Sequence, residues 1–211
     1  GYIANGAEPW RFPQSKDLED IHVRFLKERL EDDPVYLPYK RDEKLVRSWA
    51  IPGTKGLEHR VGGLEKDQET GNVSYDPENH HQMVKIRAAK VDKIADYIPL
   101  QELESGSENS KLLVVGWGST FGAIKTAVRD LASEGIDVAH TQIKYIQPMP
   151  RNLGQILSNY DKILVPEMNN GQLIKLIRDR YLVDAKPLNK IKGMPFEAQE
   201  IKSAILNMLN L

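Results

Sequence analysis

Lys111-Leu112-Leu113-Val114-Val115-Gly116-Trp117-Gly118-Ser119-Thr120 sets an unbroken apolar run directly before a Gly-rich turn. Such a run, too short for a helix and rich in Val and Leu, reads as a strand buried on both faces, over Lys111 to Val115. The turn feeds a helix with Phe121, Ile124, Ala127, Val128 and Leu131 on one stripe, and Gly135 stops it. The alternation then repeats. A strand from Val138 to about Ile146 ends at Pro148, and a short helix led by Asn152 carries Leu153, Ile156 and Leu157. A third strand, Lys162 to Pro166, precedes a helix over Gly171–Tyr181 that buries Leu173, Ile174 and Ile177. Arg178 and Arg180 occupy its last turn, where they suit the helix dipole. A fourth strand, Leu182 to Asn189, leads to a last helix from Glu197 to Leu209. Strand–helix alternation of this kind predicts an α/β fold, with residues 104–211 forming a three-layer domain around a mostly parallel sheet. No internal repeat is present.

Upstream the texture changes. Glu104-Ser105-Gly106-Ser107-Glu108-Asn109-Ser110 has the composition of a linker. Before it, Gly53 to Pro99 holds four glycines within eleven residues (Gly53, Gly56, Gly62 and Gly63), then a helical pattern from Pro77 with Met83 and Ile86 on its apolar side. On that helix Lys85, Arg87 and Lys90 read as solvated or paired side chains. The first 60 residues form an irregular arm crowded with Pro and aromatics, among them Pro9-Trp10, Phe12-Pro13, Pro34, Pro38-Tyr39, Trp49 and Pro52. Prolines at this density do not fit helix interiors or central strands, so extended chain packed on another domain or subunit is expected. One helix, from Leu18 to Arg29 with Leu18, Ile21, Phe25 and Leu26 on a face, is expected within it.

Composition narrows the chemistry. Over 211 residues, 29 Lys and Arg face 30 Asp and Glu, a formal net charge of -1, so no global field gathers nucleic acid or anionic membrane. There is no cysteine, which removes disulfides, thiolate zinc sites, a cysteine nucleophile and cysteine-held iron–sulfur clusters from this chain. No run of about 18 apolar residues exists to span a bilayer, and Gly1-Tyr2-Ile3-Ala4-Asn5-Gly6 is not a signal peptide. A cytoplasmic protein is expected.

In an open parallel sheet, ligand-facing groups gather beyond the carboxyl ends of the strands. That edge receives Ser119 from the first strand and Glu167-Met168-Asn169-Asn170-Gly171-Gln172 from the third. Asn169 or Asn170 can cap the next helix and Glu167 is drawn toward its exposed N–H groups, and the same cluster is a candidate contact site for a ligand or partner. Gly116-x-Gly118-x-x-x-Gly122 departs from the dinucleotide fingerprint, because Gln142-Ile143-Lys144-Tyr145 offers no acid for a ribose. His59, His80 and His81 have no i, i+4 pairing and read as hydrogen-bonding groups rather than metal ligands. No Ser elbow, P-loop or HExxH helix is found, and no catalytic residue is assigned.

Several blocks carry a likeness: Trp49-Ala50-Ile51-Pro52-Gly53-Thr54, Gly56-Leu57-Glu58-His59-Arg60, Gly62-Gly63-Leu64-Glu65, Gly71-Asn72-Val73-Ser74-Tyr75, Asn79-His80 with Arg87 and Lys90, Gly116-Trp117-Gly118-Ser119-Thr120, Glu167-Met168-Asn169-x-Gly171-Gln172-Leu173, and Asn189-Lys190. In this order they resemble the alpha subunit of 2-oxoglutarate:ferredoxin oxidoreductase, and the resemblance covers nearly the whole chain. It implies the C-terminal portion of such a subunit: a remnant of the pyrimidine-binding domain over 1–35, an extended connector with one helix over 36–103, and a transketolase C-terminal-like domain over 104–211. The implied enzyme uses thiamine diphosphate, magnesium and an iron–sulfur cluster, none held by this chain alone. Its partners are a beta subunit, ferredoxin and coenzyme A, with homo-oligomers possible. The family's Tyr-Pro-Ile-Thr-Pro and Gly-Asp-Gly motifs are absent, so the isolated chain is expected to be inactive. The substrate or interface candidates are His59, Arg60, Ser119, Glu167, Asn169 and Gln172. Arg60 has two readings, attraction of an anionic substrate or coenzyme A and a salt bridge to Glu58 or Glu65. The alternative function, drawn from the sheet edge alone, is a non-catalytic ligand-binding or regulatory α/β module.

Overall fold

The computed structural model describes residues 14–20, 22–29 and 35–211. The expectations for Gly1–Gly6, Pro9-Trp10, Phe12-Pro13, Ile21 and Pro34 lie outside the described residues. The chain divides into a first unit, Phe12–Tyr97, and a second built on Ile98–Leu211.

In the first unit regular structure is sparse. Strand β1 (Phe25–Leu26) pairs in parallel with β2 (Trp49–Ala50), and helix α1 runs Pro77–Lys93. The helix expected over Leu18–Arg29 does not form among the described residues; its centre is β1. Leu18 and Val23 are exposed, so an amphipathic helix would have no core to bury its stripe. The backbone pairs with Trp49 instead, whose ring lies 6.4 Å from that of Phe25. Helix α1 starts where its sequence predicts, with Pro77 at its first turn and the Asp76 carboxylate accepting from the N–H groups of Glu78 and Asn79 at 3.3 Å.

The second unit alternates without exception. Its elements are β3 (Leu113–Trp117), α2 (Phe121–Ser133), β4 (Ala139–Ile143), α3 (Leu153–Ser158), β5 (Ile163–Glu167), α4 (Leu173–Tyr181), β6 (Ala185–Asn189) and α5 (Ala198–Leu209). The four strands form one parallel sheet in the order β4-β3-β5-β6. Two apolar clusters flank it. Leu113, Val115, Ile163 and Val165 meet Leu153 and Leu157 of α3 and Leu173 and Ile177 of α4. Leu112, Val114 and Leu164 meet Ile124, Val128 and Leu131 of α2 and Ile201 and Ile205 of α5. These are the expected three layers; β3 and β5 lie two and one residues later than the expected runs, β4 ends at Ile143 rather than Ile146, and β6 begins at Ala185 rather than Leu182.

The Ser-rich segment before β3 is not a free tether. Glu104 donates its N–H to the His140 carbonyl at 2.8 Å, and Ser105 accepts from the His140 N–H at 3.0 Å, so the segment bridges antiparallel to the outer side of β4. Gly106 is required there: a Cβ would lie 2.5 Å from the Ala139 Cα, and its φ is +79°. The Gln101 side chain adds bonds to Thr141 Oγ1 at 2.8 Å and to the Gln142 carbonyl at 3.0 Å. At the opposite edge β6 carries Pro187, paired with Val165 on its inner side.

Candidate functional site

The carboxyl ends of β3 and β5 mark the point where the chain order of the sheet reverses, the usual position of a ligand crevice. Here it is closed. Ser119, on a 3-10 turn after β3, reaches the Met168 sulfur at 3.6 Å. Glu167 ends β5 fully buried, its Oε1 accepting from the Leu173 N–H at 2.8 Å and Oε2 from the Ile174 N–H at 3.1 Å. Asn169 Oδ1 accepts from Gly171 at 2.9 Å and Gln172 at 3.0 Å. Four successive N–H groups at the start of α4 are therefore satisfied by two side chains from the strand end. The carboxylate also meets the positive end of the α4 dipole, which compensates its burial. Of the predicted cluster, Glu167 and Asn169 have structural partners, while the Gln172 side chain faces solvent.

A cleft of about 540 Å³ opens instead on the β3–β4 side, lined by Trp117, Gly118, Phe121, Gln142, Lys144 and Ile146 among others. Gln142 donates from Nε2 to the Gly118 carbonyl at 3.2 Å. Its Oε1 sits where a Cβ on Gly116 would fall, 2.3 Å away, and Ile124 crowds the same space at 2.6 Å. Gly116 thus makes room for Gln142, whereas Gly118, at φ +54°, makes the strand-to-helix turn. In the sequence Gln142 marks only the missing acid of a nucleotide fingerprint; its burial is a property of the fold.

His59 and Arg60 belong to the first unit. They line a second hollow of about 410 Å³, walled by Phe25, Tyr36, Tyr39 and Trp49. His59 Nδ1 is 2.8 Å from the Leu57 carbonyl, and its ring stands edge-on to Tyr36 at 5.3 Å. Neither salt bridge anticipated for Arg60 forms. Glu58 Oε1 accepts from the Gly56 N–H at 3.1 Å, and Glu65 Oε2 lies 2.5 Å from His80 Nδ1. Those backbone bonds, its own first and then that of Gly56, hold the Glu58 carboxyl below its ordinary range. Arg60 is exposed and has no ion pair among the described residues.

The loop bearing these residues is held by polar anchors. Asn79 is buried on α1, accepting from the Gln68 N–H and donating to the Lys66 carbonyl, both at 3.0 Å. Asp67 gathers the Glu69 and Thr70 N–H groups and the Thr70 hydroxyl, which lowers its pKa. Lys66 is 3% exposed and gives its ammonium to the carbonyls of Gly62 and Leu64. Arg41, Arg47 and Lys66 were not among the predicted site residues. Their signal was cationic residues inside an otherwise aromatic and Gly-rich segment.

The strand-end residues of the second unit are not arranged to ligate magnesium. The buried carboxylate of the second unit has both oxygens on helix N–H groups, and no three metal-ligating side chains converge among the described residues. Nor is any helix among them long and apolar enough to cross a membrane.

Comparison with known proteins gives a consistent answer. Residues 110–203 match the family described as pyruvate:ferredoxin oxidoreductase core domain II. The chain is 46% identical over 202 residues to the 2-oxoglutarate oxidoreductase subunit KorA of Mycobacterium tuberculosis, covering 95% of this chain and 30% of that protein. It is 30% identical over 222 residues to the 2-oxoglutarate synthase subunit KorA of Methanocaldococcus jannaschii, covering 96% and 58%. Among solved structures, the 2-oxoglutarate:ferredoxin oxidoreductase of Magnetococcus marinus, with 2-oxoglutarate, coenzyme A and succinyl-CoA bound, superposes with a TM-score of 0.81. That match has 29% identity and covers 92% of this chain and 34% of that one. The chain thus spans between about a third and three-fifths of the proteins it resembles. Its sequence blocks and its fold together make it a member of the 2-oxoacid:ferredoxin oxidoreductase alpha-subunit family.

Proposed function

We propose that this chain is one portion of the alpha subunit of a 2-oxoacid:ferredoxin oxidoreductase acting on 2-oxoglutarate, in a cytoplasmic complex with a beta subunit. The assembled enzyme decarboxylates the oxoacid, transfers the acyl group to coenzyme A and delivers the electrons to ferredoxin. Thiamine diphosphate, magnesium and an iron–sulfur cluster supply the carbanion and redox chemistry, held by other parts of the assembly. Within the chain, residues 1–35 belong to the pyrimidine-binding domain, 36–103 to a connector and 104–211 to a transketolase C-terminal-like domain.

The observation that carries the reading is the superposition over 92% of the chain on an oxidoreductase holding 2-oxoglutarate and coenzyme A. The local chemistry supports a shaping role. Glu167 and Asn169 stiffen the strand-end turn, leaving Gln172 to face a neighbour. Arg60 and His59 present a cation and a ring from a loop fixed by buried polar anchors, suited to an anionic substrate.

The test is copurification of the 211-residue chain with a tagged beta subunit, together with assay of the complete enzyme containing this sequence. The expected outcome is co-elution, and ferredoxin reduction that needs both 2-oxoglutarate and coenzyme A, with no turnover by the chain alone. Failure to associate, or equal rates with pyruvate, overturns the reading.

A further inference from the structure

At the carboxyl ends of β3 and β4, the cleft of about 540 Å³ joins two kinds of wall. One is aromatic and apolar: Trp117 closes β3, Phe121 opens α2, and Ile143 and Ile146 come from the end of β4 and the loop beyond it. The Phe121 ring is braced, with the His140 ring 5.7 Å away and the Lys125 ammonium 5.2 Å from its centroid. The other wall is polar, made by Glu104, Gln142 and Lys144. Gln142 is pinned by its bond to the Gly118 carbonyl, and the Glu104 backbone by its bond to the His140 carbonyl. Lys144 directly follows the last residue of β4. The same three residues line a neighbouring hollow of about 330 Å³, so they stand where the two hollows meet.

The cleft is lined by one anion and one cation. The Glu104 carboxylate and the Lys144 ammonium are exposed, pair neither with each other nor with any other side chain among the described residues, and so remain available. Two opposite charges held at one rim match a ligand that carries both signs. A polyanion gains little there, because Glu104 offsets the attraction of Lys144. That distinguishes this cleft from a site for the oxoacid, the coenzyme or thiamine diphosphate, each of which is a net anion.

We propose that this cleft binds a zwitterionic α-amino acid with an aromatic side chain. The ligand's ammonium meets Glu104, its carboxylate meets Lys144, and its ring packs beside Trp117 and Phe121. Side-chain space above Gly118 is open, so the ligand can approach the backbone at the strand-to-helix turn. The cleft volume falls within the roughly 300–1,000 Å³ usual for small-molecule sites. Its walls are two strand ends, a helix start and a segment hydrogen-bonded along β4, so binding needs little further ordering.

The site needs nothing from the family assignment, and its test is separate from beta-subunit binding and from turnover. Calorimetry on the full 211-residue chain with L-phenylalanine should give saturable binding. Hydrocinnamate, which lacks the ammonium, and L-phenylalaninamide, which lacks the carboxylate, should each bind about tenfold more weakly or worse. L-Alanine, which lacks the ring, should do the same. Glu104→Gln and Lys144→Gln, at exposed positions, should each weaken L-phenylalanine about tenfold with unchanged circular dichroism. Hydrocinnamate should bind Glu104→Gln no more weakly than wild type, a result that damage to the fold would not give. Lys111→Gln/Lys175→Gln, before β3 and on α4, should bind L-phenylalanine as wild type does. No saturable heat, hydrocinnamate binding as tightly as L-phenylalanine, unchanged affinity in either single variant, or displacement of L-phenylalanine by an equal concentration of 2-oxoglutarate overturns the proposal.

Discussion

At the scale of single residues, two buried polar groups on the sheet make opposite demands. Glu167 satisfies two helix N–H groups with two oxygens. Glu167→Gln keeps the shape but leaves one acceptor, so Leu173 or Ile174 loses its partner. A loss of about 1–3 kcal/mol is expected in urea unfolding. His140 is fully buried on β4, with Nε2 3.4 Å from Gln142 Oε1 and no partner for Nδ1, and burial pushes its pKa down to about 4. In the unfolded chain the same imidazole titrates near 6.5, so between these values the unfolded state holds the extra proton. Stability is complete above pH 6.5 and falls by about 1.4 kcal/mol per pH unit on acidification toward 4. His140→Leu should flatten that limb; equal slopes in the two proteins would contradict the assignment.

At the scale of elements, most of the second unit was legible because period and punctuation agreed. Gly135 and the Glu167–Gln172 cluster fall at element ends, Pro148 lies in the loop five residues beyond β4, and the stripes of α2, α4 and α5 are the buried ones. The Leu18–Arg29 stripe misled because periodicity reports only what a helix would bury, and the fold provides nothing to bury it against. The Glu104–Ser110 segment misled for a related reason: its composition is that of a linker, but its backbone N–H and C=O groups found an open strand edge. The candidate site was half legible. Glu167 and Asn169 were visible as caps from their place before α4, whereas Arg41 and Arg47 become neighbours only through a turn centred on Leu45, at φ +60°. One helix end offers a direct test. Leu182, exposed, closes α4 in the left-handed region at φ +54°. Leu182→Gly relieves that conformation and should stabilise the protein by about 1 kcal/mol, read as a raised Tm.

At the scale of the whole molecule, the two units differ in what holds them. The clusters flanking the sheet draw on residues from Leu103 onward, so Ile98–Leu211 is expected to fold alone with a cooperative thermal transition. Among the described residues, the first unit buries Leu57, Met83, Ala95 and Pro38 as its apolar side chains, and leans on Asn79, Lys66 and Asp67 for the rest. Expressed by itself, Phe12–Tyr97 should show no cooperative transition and fast amide exchange outside α1. A sharp melt from that fragment would refute this division of stability. The treatment of the sheet's two borders has a consequence for how the molecule behaves in company. One border already has the Glu104–Ser105 backbone hydrogen-bonded along it, and the other carries a residue with no N–H to donate. Neither offers a row of vacant donors and acceptors, so runaway stacking of copies into fibrils is disfavoured at concentrations where bare-edged sheets would polymerise. Recognition of other chains is left to helix faces and to the loops at the strand ends.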